Sequence, residues 1–135
     1  MNTEQSKENT TILLLVSDAL VRSVIQEALE HEGYMVVPVG DLGAALDLLG
    51  DCDADLLITG IYVSDIPGHS AAEYIQRKCP SVRVLIVGGL LQDDRLQTRE
   101  SLAGYEVFPK PYSAAELIAK VNAVLAMERG QTPKG

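Results

Sequence analysis

The stretch Asp55-Leu56-Leu57-Ile58-Thr59-Gly60-Ile61 constrains the chain more than any other. Three aliphatic residues run together, a threonine follows, and a glycine stands where a strand would end. A short continuous apolar run bounded by turn signals suits a parallel strand covered on both faces; a strand with one wet face would alternate instead. Ala54 to Gly60 is therefore read as the central strand of a sheet. In open parallel sheets, chemistry lies beyond the carboxyl ends of the strands. Gly60, a residue without a side chain, thus occupies the most informative position in the chain.

The remaining sequence alternates between two periods. Thr11 to Val16 is an apolar strand after a polar tail, Met1 to Thr10. Val21, Val24, Ile25, Ala28 and Leu29 follow at helical spacing, and Gly33 stops that helix. Tyr34 to Val39 is a second strand, Leu42 to Leu49 a short helix ended by Gly50, and Ile61 to His69 a loop. Ser70-Ala71-Ala72-Glu73 has the form of a capping box and opens a helix that Pro80 closes. Val82 to Val87 is a fourth strand before Gly88-Gly89, a polar helix spans about Gln92 to Ala103, and Tyr105 to Phe108 is a fifth strand. A second capping box, Ser113-Ala114-Ala115-Glu116, opens a last helix with Leu117, Val121, Val124 and Leu125 on one face.

Strand and helix thus alternate five times with short connections, which predicts parallel strands joined by right-handed crossovers. The expected architecture is a flavodoxin-like α/β three-layer sandwich, with five parallel strands in order 2-1-3-4-5 and five helices on both faces. One domain is expected over 11–127, between polar tails at 1–10 and 128–135.

The chain of 135 residues is long enough for one real core and too short for two. No apolar run approaches the roughly 18 residues of a membrane span, and the first ten residues lack the apolar stretch of a signal peptide. These features point to a cytoplasmic address and no membrane partner. A formal charge of -8 argues against a nucleic-acid backbone as partner. Cys52 and Cys79 have no metal-type spacing and are expected as two reduced thiols.

Several strings, in this order and spacing, resemble the receiver domain of two-component response regulators. They are the strand ending Val16-Ser17-Asp18, the pair Ala45-Leu46, the strand ending at Gly60 with Gly68 eight residues on, and Lys110-Pro111-Tyr112 after the fifth strand. The resemblance covers residues 11 to 126. It implies a CheY-like fold, phosphorelay signal transduction, a cis Lys110-Pro111 peptide, and a strand-end site in which an Asp attacks a phosphohistidine. In the family, that Asp and two acids after the first strand hold Mg2+, and a hydroxyl and a lysine hold the phosphoryl oxygens.

Carried over residue by residue, most of that set is replaced. The nucleophile position is Gly60, the acid pair is Ser17-Asp18 with Ala19 next, the hydroxyl position is Gly88, and the aromatic switch position is Val107. Ser64 replaces the proline of the loop after the third strand. Asp18, Lys110 and Pro111 remain. The resemblance therefore implies a degenerate receiver, or pseudo-receiver, without enzymatic activity. It is expected to signal by protein–protein contact without aspartyl phosphorylation, to hold no cofactor and to bind Mg2+ poorly. The family's partner surface maps here to Gln97, Glu100, Tyr105, Val107, Glu116 and Lys120, and a homodimer remains open.

Individual residues keep two readings at this stage. Asp18 is a helix N-cap or a surviving metal ligand. Lys110 pairs with Asp18 or contacts an anion. Gly60 and Gly88-Gly89 are turn glycines permitting positive φ, or they open a pocket for a small molecule or anion. That pocket is the basis of the alternative function. Asp53, Asp55 and Asp65 lie near the site in sequence as substitute acceptors.

Overall fold

β3 (Leu56–Gly60) is the central strand, and β1 (Thr11–Leu15) pairs with it in parallel, with Ile12 opposite Leu56 and Leu15 opposite Thr59. β2 (Met35–Val39) adds to the other side of β1, and β6 (Arg83–Val87) to the other side of β3. β7 (Glu106–Phe108) extends the sheet beyond β6, giving the order β2-β1-β3-β6-β7. Counted along this sheet alone, that is the order 2-1-3-4-5. The computed structural model describes residues 10–49, 54–60, 62–63, 66–87, 106–108 and 114–126.

Alternation along the buried strands sorts their side chains into two cores. Leu13, Leu15, Leu57, Val84 and Ile86 point to the layer where α2 (Leu42–Leu49) and α3 (Gly68–Lys78) supply Ala45, Leu49, Ala71, Ala72 and Ile75. Ile12, Leu14, Leu56, Ile58, Leu85 and Val87 point to the opposite layer. There α1 (Ala19–His31) and α4 (Ala114–Leu125) supply Ile25, Leu29, Leu117, Val121 and Val124. This is why the central strands read as continuous apolar runs: both faces are covered.

Local chemistry sets the helix ends. Asp18 is the N-cap of α1, its Oδ1 accepting from Leu20 N at 2.9 Å and Val21 N at 3.1 Å. Gly33, with φ 107, ends the same helix in the left-handed region open to glycine. At the other end of the sheet, Asp55 Oδ2 accepts from Thr11 N at 2.9 Å, fastening β1 to the entry of β3. Tyr34 donates its hydroxyl to Asn122 Oδ1, joining the entry of β2 to α4.

Two expectations change around α3. The stretch between β3 and α3 is not a plain loop: β4 (Tyr62–Val63) and β5 (Ile66–Pro67) pair as an antiparallel two-stranded sheet. The helix then starts at Gly68, two residues before Ser70, with Pro67 as a cap that makes no side-chain hydrogen bond. Ser70 to Glu73 is therefore interior helix and not a capping box. Pro67 has φ -60, preset by its ring for chain entering a helix, so the helix begins directly after the β5 pairing. Its fully buried Ala71 and Ala72 lie against the core.

The cysteine expectation also fails. Cys79, wholly buried at the end of α3, is disulfide-bonded and not a free thiol. Its Sγ lies 3.6 Å from the carbonyl of Ala54. The packing of α3 against β3 brings together chain segments that are far apart in sequence, which cysteine spacing alone does not reveal.

The helix expected over 92–103 lies outside the described residues, among which there are four helices. The second capping residue, Ser113, also lies outside them. No helix among the described residues is long and apolar enough to cross a membrane.

Leu57→Ala removes a fully buried side chain from the centre of the sheet and should cost about 2–5 kcal/mol in urea unfolding. Leu20→Ala, at a position 70% exposed, should stay within about 0.5 kcal/mol of the parent; equal losses would contradict this core. Asp18→Ala should cost about 1 kcal/mol through loss of the α1 cap, and Asp18→Asn much less. An equal loss in both variants would mean that the charge, and not the cap, is what matters there.

Candidate functional site

The carboxyl ends of the parallel strands form one edge of the molecule, and Val16, Ser17, Asp18, Gly40 and Gly60 gather there. Ser17 and Asp18 follow β1 and are exposed. One oxygen of the Asp18 carboxylate is engaged by the two amides of α1, which satisfies donors the helix would otherwise leave open. The N-cap is thus the role the structure displays for Asp18.

Gly60 ends β3 in register with Val87 of β6. It is half-buried, and Thr59 Oγ1 donates to its carbonyl at 3.3 Å. A Cβ added at Gly60 would meet, among the described residues, the Tyr62 carbonyl oxygen, at 3.4 Å, an ordinary van der Waals contact. Among the described residues, positive φ belongs to Gly33 and not to Gly60. The turn-glycine reading of Gly60 is therefore corrected: its backbone conformation does not require a glycine, and no described residue crowds a Cβ there.

Arg22 is a feature of this edge that the sequence did not signal. From the first turns of α1 its Nη1 donates to Val16 O at 2.7 Å and reaches Ser17 O at 3.5 Å. The same guanidinium crosses to the end of β2, where a Cβ on Gly40 would come within 3.1 Å of Nη1. A positive group thus bridges the ends of β1 and β2. Its helical position, four residues after Asp18, and the glycine after β2 were legible, but nothing in the pattern joined them. Asp41, next to Gly40, caps α2 by accepting from Ala44 N at 2.8 Å.

Asp55 is not part of this edge. It lies at the entry of β3, bound to Thr11 N, a full strand length of roughly 16 Å from the Gly60 end. Asp53, Asp65, Gly88, Gly89, Lys110 and Pro111 lie outside the described residues, as does the expected approach of Lys110 to Asp18. Of the partner-surface residues, Val107 is the middle residue of β7 and pairs with Ile86. Glu116 is exposed and Lys120 half-buried on α4. Gln97, Glu100 and Tyr105 lie outside the described residues. Among the described residues, no three His, Cys, Asp or Glu side chains come close enough to hold a metal ion.

Comparison with known proteins agrees with this arrangement. Residues 12–122 match the model of the response regulator receiver domain. The chain is 30% identical over 114 residues to the transcriptional regulatory protein CpxR of Escherichia coli K12, covering 84% of this chain and 48% of CpxR. It is 25% identical over 124 residues to the DNA-binding transcriptional regulator NtrC of Rhizobium meliloti, covering 92% of this chain and 26% of NtrC. The chain thus spans half or less of these regulators. Among solved structures, the non-phosphorylated HemR receiver domain from Leptospira biflexa superposes with a TM-score of 0.72 at 25% identity, over 89% of this chain and 97% of that one. The chain belongs to the response regulator receiver domain family of two-component signalling.

Proposed function

We propose that this chain is a degenerate receiver domain that works by protein–protein contact, without aspartyl phosphorylation and without enzymatic activity. The observation that carries this reading is Gly60. It ends the central strand opposite Val87, the resemblance assigns the family's acceptor to this position, and neither its φ nor any described neighbour requires glycine. A phosphoryl group needs an oxygen to attack its phosphorus, and Gly60 offers none.

The surrounding donors support the same conclusion. Mg2+ demands octahedral oxygen ligands and is usually held through carboxylates. Here Ser17 offers a neutral hydroxyl, Gly60 offers nothing, and Asp18 is engaged as a helix cap. This set does not fit the ion. Transfer of a phosphoryl group depends on positioning and charge neutralisation, and both are reduced at this edge.

The partner is a protein of the signalling pathway, or a second copy of the chain, met through the surface of β7 and α4 that carries Val107, Glu116 and Lys120. The words "DNA-binding" belong to NtrC, of which this chain spans 26%. For this domain, a formal charge of -8 favours protein over nucleic acid. A cytoplasmic setting follows from the same family role. Arg22 favours a second reading, a domain that binds an anion or small molecule at the strand ends, because it places a guanidinium beside β1 and β2. Phosphate and nucleotides in a thermal-shift titration separate the two: a saturable rise in melting temperature supports the second reading, and none supports the first.

Repair of the site tests the main proposal. Gly60→Asp alone should take up little phosphate from acetyl phosphate, because Asp18 remains its single carboxylate neighbour among the described residues. Adding Ser17→Asp should give detectable Mg2+ binding by calorimetry and slow, Mg2+-dependent labelling. Even then, amide shifts in the segment expected as a helix over 92–103 should stay small, since Val107 has no ring to move and phosphorylation would gain no differential contact between two states. Robust labelling of the single variant would contradict the claim that several parts of the site are missing together.

A further inference from the structure

β2 ends the sheet on one side, and among the described residues no strand lies beyond it. Its run, Met35-Val36-Val37-Pro38-Val39, is apolar and carries no charge. Met35 is 55% exposed, Pro38 is exposed, and Val36 and Val37 are half-buried. An edge of this kind is a template for a further strand, because its outward N–H and C=O groups are open to pairing. The opposite edge, β7, is three residues long and includes Glu106, and a short, charged edge accepts strands poorly.

The hydrogen bonds of β2 fix which of its groups face outward. Met35 N donates to Thr10 O at 3.1 Å, and Val39 O accepts from Val16 N at 3.2 Å. The N–H and C=O of one strand residue leave on the same side, and alternate residues face opposite sides. Met35, Val37 and Val39 therefore present these groups to β1, while Val36 and Pro38 present theirs away from the sheet. Within β2, Val36 is then the one outward N–H donor, since proline has none.

We propose that Pro38 closes the β2 edge to a second copy of this chain. Two copies meeting as antiparallel strands about Val37 would set Val36 of each against Pro38 of the other. Such a pair ordinarily exchanges two hydrogen bonds. With proline one of the two is lost, and the ring Cδ stands where the N–H would aim, against the incoming carbonyl. Two-fold symmetry repeats the loss at the second pair. The β1–β2 ladder is untouched, because the missing N–H is an outward one. Val37 and Val39 keep their apolar side chains on one core layer, and Val36 keeps its own on the other, while the backbone beside them offers a poor template. Contact between copies is thereby confined to other surfaces. This inference rests on none of the readings of Gly60, nor on partner contact at β7 and α4.

The test compares the whole chain with Pro38→Val and Pro38→Ala. Both variants restore the N–H; valine adds apolar surface and alanine removes it. Self-association is read by sedimentation velocity over a range of concentrations, the fold by far-UV circular dichroism, and the edge by hydrogen exchange at the Val36 amide. Both variants should stay folded and associate roughly tenfold or more tightly than the parent, as two restored hydrogen bonds per pair imply. Exchange at Val36 should slow as they associate, and should not depend on concentration in the parent. Association of Pro38→Val alone would assign the effect to apolar surface and overturn the proposal. So would two variants no more associated than the parent, or a parent whose Val36 amide is already protected by self-association. Unfolding of both variants would overturn it too, by making Pro38 a requirement of the fold itself.

Discussion

Burial of β3 on every side fixes what the rest of the molecule can do. Leu56, Leu57 and Ile58 are fully buried, with β1 and β6 as parallel neighbours and a helical layer on each face. A slip of one residue would send each side chain into the wrong layer, so the register is locked. That lock carries Gly60 to a defined point beside Val87. Gly60 therefore stands at a fixed address, and its φ does not require a glycine there.

Two charged side chains at this edge are engaged with the backbone. Asp18, the acid that survives after β1, spends one carboxylate oxygen on the first amides of α1. Arg22 brings a guanidinium to the Val16 and Ser17 carbonyls and across to Gly40. An edge that in the family collects carboxylates for a cation here displays, among the described residues, one capping acid and one arginine. Asp18 caps α1 and Arg22 ties that helix to the carbonyls that follow β1, which is structural work.

Much of the fold was legible because hydrophobic period speaks directly about burial. The aliphatic runs of β1, β3 and β6, the helical spacing of α1, and Gly33 at its end each led to the observed element. The β4–β5 hairpin was not legible, because two-residue strands are too short to show a period. The start of α3 was misplaced because Ser70 to Glu73 matches a cap by composition, whereas Pro67 decides where the helix begins. The reading of Gly60 as the family's acceptor position comes only through resemblance, since glycine after a strand also describes an ordinary turn. The Arg22 bridge and the Cys79 disulfide depend on contacts between elements, which sequence spacing does not encode.

The central claim is that the chain does its work without a phosphoryl group on aspartate. The most direct measurement is intact-mass analysis of the unmodified chain after incubation with acetyl phosphate and Mg2+, quenched under conditions that preserve acyl phosphates, with a phosphorylatable receiver treated in parallel. A phosphoryl adduct on the control and none on this chain is the result expected. A stoichiometric, Mg2+-dependent adduct on this chain, mapped to any aspartate, would contradict the account.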